Sequence, residues 1–303
     1  MDKQKLFNYR VYGLNVQSEI ECPEIPLSYD GIPDVKVKIG KVPDRLTDSL
    51  DYSDIFEARG DCILLKTNSI ADVLVSNGNS IVIQPKEGAR LKEIRLFLLG
   101  RVIGAVILQR ELLPLHGSAI VLDGEAIIFC GDSGVGKSTI VRLLIDRGYP
   151  FLDDNISAIS INQARVPIIN PGYSQIKLWK DVLSLVEENP EVDCCIQPLI
   201  NKYTFDFKNL FYNEPVPVRK IYTISPGTFE NIEFFPLSGL NKLAALTSCT
   251  FGVHFLKGLG KEKMHFRFIN LLGSKISVCN IRRPEKSDPN KLVDLIEKDF
   301  LNK

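Results

Sequence analysis

The run Gly131-Asp132-Ser133-Gly134-Val135-Gly136-Lys137-Ser138 fits G-x-x-x-x-G-K-[ST], the spacing of a loop that wraps nucleotide phosphates. Glycines at 131, 134 and 136 let the backbone turn tightly and aim successive N–H groups inward, and a helix beginning after them adds its positive N-terminal end to the anion nest. Lys137, expected as an exposed cation, would reach the β- and γ-phosphates. The Ser138 hydroxyl is suited to ligate a magnesium ion bridging them. The flanks agree with this chemistry. Glu125 to Cys130 is a short β-prone run, and Thr139 to Asp146 carries apolar residues at helical spacing.

Two further features could do chemistry. Phosphoryl transfer needs an oxyanion to hold magnesium and a carboxylate to orient or deprotonate the attacking hydroxyl, and Asp153-Asp154 offers two adjacent carboxylates. Neighbours on a strand point to opposite faces, so a strand here aims only one of them at the nucleotide; a tight turn at its edge is needed for both. A plain polar turn, Asp153-Asp154-Asn155, is the competing reading. His116 is one of three histidines, with His254 and His265. A hairpin following it would return the chain beside the loop, which leaves His116 near one end of the sheet or the other.

The elements that must position these residues follow from the pattern. Residues 7 to 88 alternate in short runs such as Val35-Lys36-Val37-Lys38-Ile39, separated by turns such as Ser76-Asn77-Gly78-Asn79, which predicts a β-rich N-terminal domain over 1–88. From 89 to 113 the apolar residues Leu91, Ile94, Leu98, Val102, Ala105 and Leu108 fall on one helical face, predicting a connecting helix. The remainder, 114–303, reads as the catalytic domain. Within it Ser118 to Leu122 and Ala126 to Cys130 form a hairpin around the turn dipeptide Asp123-Gly124. Gly148 closes the helix after the loop, residues 165 to 283 mix strands and helices, and Pro289 to Phe300 is an amphipathic helix.

Composition narrows the function classes. Lys and Arg number 37 and Asp and Glu also 37, which gives no electrostatic case for nucleic acid or an anionic membrane as the principal partner. Met1-Asp2-Lys3-Gln4-Lys5 leads into no apolar signal core, and the best membrane candidate, Leu96 to Leu108, is short and interrupted by Arg101. The 7 cysteines, at 22, 62, 130, 194, 195, 249 and 279, lack the paired spacing of a zinc site and the density of a disulfide scaffold. Reduced thiols in a cytoplasmic protein are the expectation.

Taken in order, Leu115-His116-Gly117, the hairpin, the phosphate loop, Asp146-Arg147-Gly148-Tyr149 and Asp153-Asp154 resemble the catalytic domain of the HPr serine kinase/phosphorylase family. The resemblance implies an α/β fold: a phosphate-loop catalytic domain of the HPr kinase C-terminal/PEP carboxykinase-like type, preceded by a smaller β-rich domain. It implies ATP and Mg2+ as cofactors, bound by Gly131, Asp132, Ser133, Gly134, Val135, Gly136, Lys137, Ser138 and Thr139, with Ser138 and Asp153 on the metal. Catalysis would fall to His116, Lys137, Asp153 and Asp154, one aspartate acting as base on a substrate serine. The family's second signature is not found downstream; Asn170-Pro171-Gly172-Tyr173-Ser174-Gln175-Ile176-Lys177-Leu178-Trp179 stands in its place. Tyr9 to Ser18 and Pro23-Glu24-Ile25-Pro26 look like the HPr-kinase-like proteins of peptide-modification clusters, among them kinases of the C-terminal serine of lasso-peptide precursors. The expected partner is therefore a peptide or protein with an acceptor serine, and a homo-oligomer is compatible with the reading. The alternatives are a bifunctional HPr kinase/phosphorylase and a non-catalytic nucleotide-binding switch. Lys202, after Asn201, is a candidate phosphate contact, with a solvated lysine as the plainer reading.

Overall fold

Alternating apolar residues in the first part of the chain form eight strands: β1 (Phe7–Val11), β2 (Leu14–Ser18), β3 (Val35–Ile39), β4 (Asp51–Ser53), β5 (Phe56–Arg59), β6 (Cys62–Leu65), β7 (Ala71–Ser76) and β8 (Ser80–Pro85). In this computed structural model, which describes residues 5–27, 31–46, 51–53, 55–183, 195–197 and 202–301, they make one sheet in the order β1-β2-β3-β8-β7-β6-β5-β4. The alternation has a direct cause: Val73, Val75, Ile81 and Ile83 are fully or almost fully buried, so one face of β7 and β8 is a core surface. The helical stretch that follows is α1 (Leu91–Phe97), a π-helical turn (Leu98–Val102) and α2 (Ile103–Gln109). α2 carries no charged residue, and it is buried on all sides instead of on the one stripe the sequence suggests. Gln109 ties the end of α2 to the sheet, accepting from Gly78 N–H at 2.8 Å and donating to the Asp61 carbonyl at 3.0 Å.

By its contacts the chain divides into two units, Met1–Pro114 with Thr250–Ile269, and Leu115–Cys249 with Asn270–Lys303. The return of Thr250–Ile269 to the first unit departs from the expected 114–303 domain, and the 89–113 helix belongs to the first unit too. The reason is specific packing that no local periodicity reports. Gly60 N–H donates to the Gly258 carbonyl at 2.9 Å, and a Cβ at Gly258 would stand 2.4 Å from the Ala58 carbonyl oxygen, so only glycine fits that approach. Phe255 packs edge-on against Phe56 with centroids 5.1 Å apart, and the buried Thr250 hydroxyl meets His265 Nε2 at 2.9 Å.

The second unit is built on β9 (Leu113–Leu115, begun in the first unit), β10 (Gly117–Leu122), β11 (Glu125–Cys130), β12 (Phe151–Asp153), β13 (Ser157–Ile161), β14 (Pro167–Asn170), β15 (Gln175–Trp179), β16 (Cys195–Gln197), β17 (Lys202–Asp206), β18 (Val216–Gly227), β19 (Glu233–Pro236) and β20 (Ser277–Pro284). Its helices are α3 (Lys137–Asp146), α4 (Lys180–Leu183), α5 (Gly239–Ser248), α6 (Glu262–Lys275, begun in the first unit) and α7 (Pro289–Leu301). The main sheet runs β12-β10-β11-β18-β14-β13-β9, with β20 beside β18 and β19 beside β20; β15-β17-β16 form a smaller sheet. The arrangement is mixed α/β. The expected hairpin is β10-β11, where Leu122 faces Glu125 across Asp123 (φ 51) and Gly124 (φ 78), a two-residue turn matching the twist of the strands. β11 runs parallel to β18, and β18 to β20, so three strand ends lie side by side where the phosphate loop begins.

α3 and α7 bury their apolar faces in one core with β10, β11 and β18, including Ile120, Ile127, Phe129, Ile140, Leu144, Tyr222, Val293 and Ile296. Tyr149 and Arg147, just past α3, lock α7 in register: Tyr149 donates to Glu297 at 2.6 Å and Arg147 to Asp294 at 2.6 Å. Among the described residues no helix is long and apolar enough to cross a membrane. Cys22, Cys62, Cys130, Cys249 and Cys279 are free thiols; Cys194 and the side chain of Cys195 lie outside the described residues.

Candidate active site around the phosphate loop

β11 delivers the chain at Cys130 into the glycine loop, and α3 starts at Lys137 with left-handed Gly136 (φ 98) as its N-cap. Gly131 needs its hydrogen side chain for two reasons. Its φ of 144 lies outside the range L-residues favour, and a Cβ there would meet the Ile224 carbonyl and Val135 at 3.1 Å. The loop is therefore pressed against the end of β18. Val135 belongs to the core.

Lys137 is not the exposed cation expected from the motif. Its residue is 6% exposed, and the ammonium donates to the Gly131 and Asp132 carbonyls, each at 2.8 Å. The loop thus closes on its own lysine.

The pocket at this loop is lined by Ser133, Gly134, Gly136, Lys137, Ser138 and Thr139, by Lys177, Leu178 and Trp179, and by His116, Asp154 and Asn155. Asp154 is the hub. One of its carboxylate oxygens accepts from Ser118 Oγ at 2.6 Å and from Ser138 Oγ at 2.8 Å, and the other accepts from the Lys177 backbone N–H at 3.0 Å. Strand geometry explains the convergence. β10 pairs antiparallel with both β11 and β12, so Ser118, near the start of β10, stands under the end of β12 from which Asp154 emerges.

Asp153 goes the other way. It is fully buried, one oxygen accepts from Ser157 Oγ at 2.9 Å, and the other has no hydrogen-bond partner. Burial, together with the neighbouring Asp154 charge, pushes its carboxyl well above the usual carboxylate range despite the Ser157 hydroxyl. The expectation that the two carboxylates divide two roles, with Asp153 beside Ser138 on the metal, is corrected by this geometry: Asp154 is the carboxylate at Ser138. Asn155 takes the left-handed conformation (φ 82) that asparagine tolerates in a turn, yet the turn falls one residue too late to bring Asp153 round.

His116 follows β9, lines the pocket, and donates its backbone N–H to the Cys249 carbonyl at 2.7 Å. Gly131, Asp132 and Val135 lie outside the lining and act through the loop's shape. Four contributors escaped the motif. Ser118 and Lys177 hold Asp154, Trp179 walls the pocket, and Arg283, from the end of β20, donates to the Val135 carbonyl at 3.0 Å behind the loop. A second guanidinium nitrogen of Arg283 binds the Pro284 and Glu285 carbonyls at 2.9 Å, and burial lowers its pKa. The one available sequence signal was the alternation Gln175, Lys177, Trp179 against buried Ile176 and Leu178, which assigns Lys177 and Trp179 to a common face. Lys202 is the ladder partner of Trp179, but its side chain lies outside the described residues, as does Asn201.

Magnesium fits the donor set at one end of the pocket. A serine hydroxyl and a carboxylate oxygen 2.8 Å apart are both hard oxygen ligands, and such an ion draws its remaining ligands from water and phosphate. Among the described residues no cluster of three or more His, Cys, Asp or Glu side chains could hold a metal ion.

No family model matches the chain, and no curated protein matches it. Among solved structures it is similar to the HPr(Ser) kinase/phosphatase from Coxiella burnetii, with 15% identity and a TM-score of 0.34 over 62% of this chain and 96% of that chain. A likeness at that level assigns neither fold nor activity.

Proposed function

We propose that this chain is an ATP- and magnesium-dependent kinase that transfers the γ-phosphoryl group to a serine hydroxyl of a peptide or protein. The observation that carries the reading is Asp154, a carboxylate 2.8 Å from the hydroxyl of the loop serine inside the phosphate-loop pocket. A loop that only held a nucleotide would need the glycines, Lys137 and Ser138. A carboxylate braced by two serine hydroxyls and a backbone N–H at the same spot adds a group that can hold the metal and face an acceptor hydroxyl, and the transfer assay below separates a kinase from a loop that only holds nucleotide.

Each residue then has a task. Backbone N–H groups of residues 133–138 and the α3 N-terminus bind the β- and γ-phosphates, and Lys137 neutralises charge on the transferring group. Ser138 and Asp154 would hold magnesium, which when bound supplies charge neutralisation between the phosphates. Asp154 orients the acceptor hydroxyl and takes up its proton, with His116 as a second polar contact in the pocket. Lys177 and Trp179 form the wall against which the acceptor lies. The resemblance to peptide-modifying relatives suggests the C-terminal serine of a lasso-type precursor as acceptor.

The test is direct. Incubate the protein with labelled ATP, magnesium and either a serine-ending precursor peptide or HPr, then locate any gain of one phosphoryl group by intact mass and fragmentation. Transfer to the peptide serine, abolished by chelating magnesium, is the expected result. Transfer to HPr alone would replace the peptide as acceptor, and transfer to neither, with ATP still bound, would refute the kinase reading.

A further inference from the structure

Two lysines line the phosphate-loop pocket, Lys137 and Lys177. Lys137 belongs to the loop, bonded to the Gly131 and Asp132 carbonyls. Lys177 comes from β15 and meets Asp154 from another side. Its backbone N–H donates at 3.0 Å to one carboxylate oxygen, whereas Ser118 and Ser138 share the other at 2.6 and 2.8 Å. The alternation of β15 sets the direction of the side chain. Ile176 and Leu178 enter the core with α3, so Gln175, Lys177 and Trp179 share the opposite face. The Lys177 ammonium donates to the Tyr173 hydroxyl at 3.1 Å and stands 5.7 Å from the centroid of its ring. Tyr173 is buried, which makes its hydroxyl a fixed anchor. A lysine stem ordinarily samples many rotamers, and an anchor of this kind narrows that freedom before a ligand arrives.

We infer that Lys177 is a specificity-determining residue that recognises a carboxylate beside the acceptor hydroxyl. The inference deepens the kinase reading and rests on it for the place of that hydroxyl. An acceptor whose hydroxyl faces Asp154 lies within reach of a lysine whose own N–H binds that aspartate. Phosphate and metal belong to the Ser138 side of Asp154 and the Lys177 N–H to its other oxygen, which assigns the ammonium to the acceptor rather than to the nucleotide.

Charge then decides which acceptors enter. A carboxylate brought to this spot without the ammonium would meet Asp154 and the nucleotide's phosphates, all of its own sign, and be repelled. With the ammonium it gains a charge-assisted hydrogen bond. An acceptor lacking the carboxylate gains nothing from the lysine, so one residue favours one class of acceptor over another. The chemistry has two sources. In a C-terminal serine the free carboxylate hangs on the same Cα as the hydroxymethyl group; beside an internal serine an acidic side chain presents it. Trp179, 37% exposed on the same strand face, gives the apolar atoms of either acceptor a surface to cover.

The experiment compares one serine-ending peptide as its free C-terminal acid, as its C-terminal amide, and as the amide lengthened by one aspartate after the serine. Each is titrated calorimetrically against the full chain, and each is assayed for transfer with ATP and magnesium. Parent and Lys177→Met are measured side by side, with thermal midpoints and an ATP-analogue titration as controls. In the parent at least one carboxylate form should bind about tenfold or more tighter than the plain amide, the size of a hydrogen bond to a charged group. Which form does so identifies the source. Lys177→Met retains the backbone N–H that braces Asp154, and the ratio of acid to amide affinity should fall close to one. Lys177→Gln covers the same point if the methionine variant is unfolded. A parent with no preference for either carboxylate form, absence of peptide binding included, overturns the inference, as does a folded variant that keeps the parent's preference. So does a variant whose affinity for the ATP analogue falls as far as its affinity for the acid, because the lysine then serves the phosphates. Absence of transfer to every form refutes the kinase reading instead, while the peptide titrations still decide whether Lys177 selects the carboxylate.

Discussion

Replacing each aspartate of the pair by asparagine separates the two carboxylates by what they touch. Asp154 accepts three hydrogen bonds, from Ser118, Ser138 and the Lys177 N–H. The N–H cannot turn, but both hydroxyls can rotate to accept, so Asp154→Asn keeps its shape with the amide oxygen toward Lys177 and the amide nitrogen toward the serines. Each bond drops from a charge-assisted to a neutral one, a loss of about 1 kcal/mol apiece that relief of a buried charge partly offsets. Stability should therefore fall by no more than about 1–2 kcal/mol. Transfer should fall far more, because a neutral amide can neither take the hydroxyl proton nor balance the metal: about 10²- to 10⁴-fold in kcat, or about 3–5 kcal/mol of barrier. Asp153→Asn keeps the size of a side chain whose carboxyl burial already pushes toward the neutral form, and the Ser157 bond survives. Its kcat should stay within a few-fold of the parent. The assay is initial phosphoryl-transfer rate at saturating ATP and magnesium, with thermal midpoints for all three proteins. If Asp153→Asn is as inactive as Asp154→Asn while equally folded, or if Asp154→Asn keeps the parent rate, the division of roles drawn from the hydrogen bonds is wrong.

Other expectations follow from the same contacts. Asp153 should make stability fall as pH rises: its folded pKa is raised above the unfolded value of about 3.9, so between the two the folded chain binds the extra proton and loses advantage with increasing pH. Thermal melts from pH 4 upward should show Asp153→Asn gaining on the parent as pH increases; a constant difference would mean the carboxyl is not protonated in the fold. Lys137→Ala should abolish transfer and weaken ATP binding at least about tenfold, with a loss of only about 1–2 kcal/mol in stability from the two carbonyl contacts; a normal rate in the folded variant would remove the loop from the mechanism. Arg283→Ala, which leaves the Val135 carbonyl without its guanidinium partner, should weaken ATP binding several-fold, whereas unchanged nucleotide affinity would make Arg283 a purely structural residue of β20. That measurement is a nucleotide titration with the thermal midpoint as control.

What the amino-acid order determined by itself is local and contiguous. Glycines at 131, 134 and 136, the lysine and serine that follow, the Asp123-Gly124 turn and the amphipathic run ending in α7 each act through neighbours a few residues away, so residue type and spacing suffice. The pairing Asp153-Asp154 was legible as a carboxylate site, and so was the rule that a strand turns one of two neighbours away. Which one was turned away depended on the register of β10 against β12 and on the three donors, from residues 118, 138 and 177, that meet only in three dimensions. The same holds for Arg283, which reaches Val135 across 148 positions, and for the return of Thr250–Ile269 to the first unit. The burial of Lys137 was not legible, because its two carbonyl partners are brought to it only once the loop has closed. Periodicity reports that a face will be buried; it carries no information about which surface buries it.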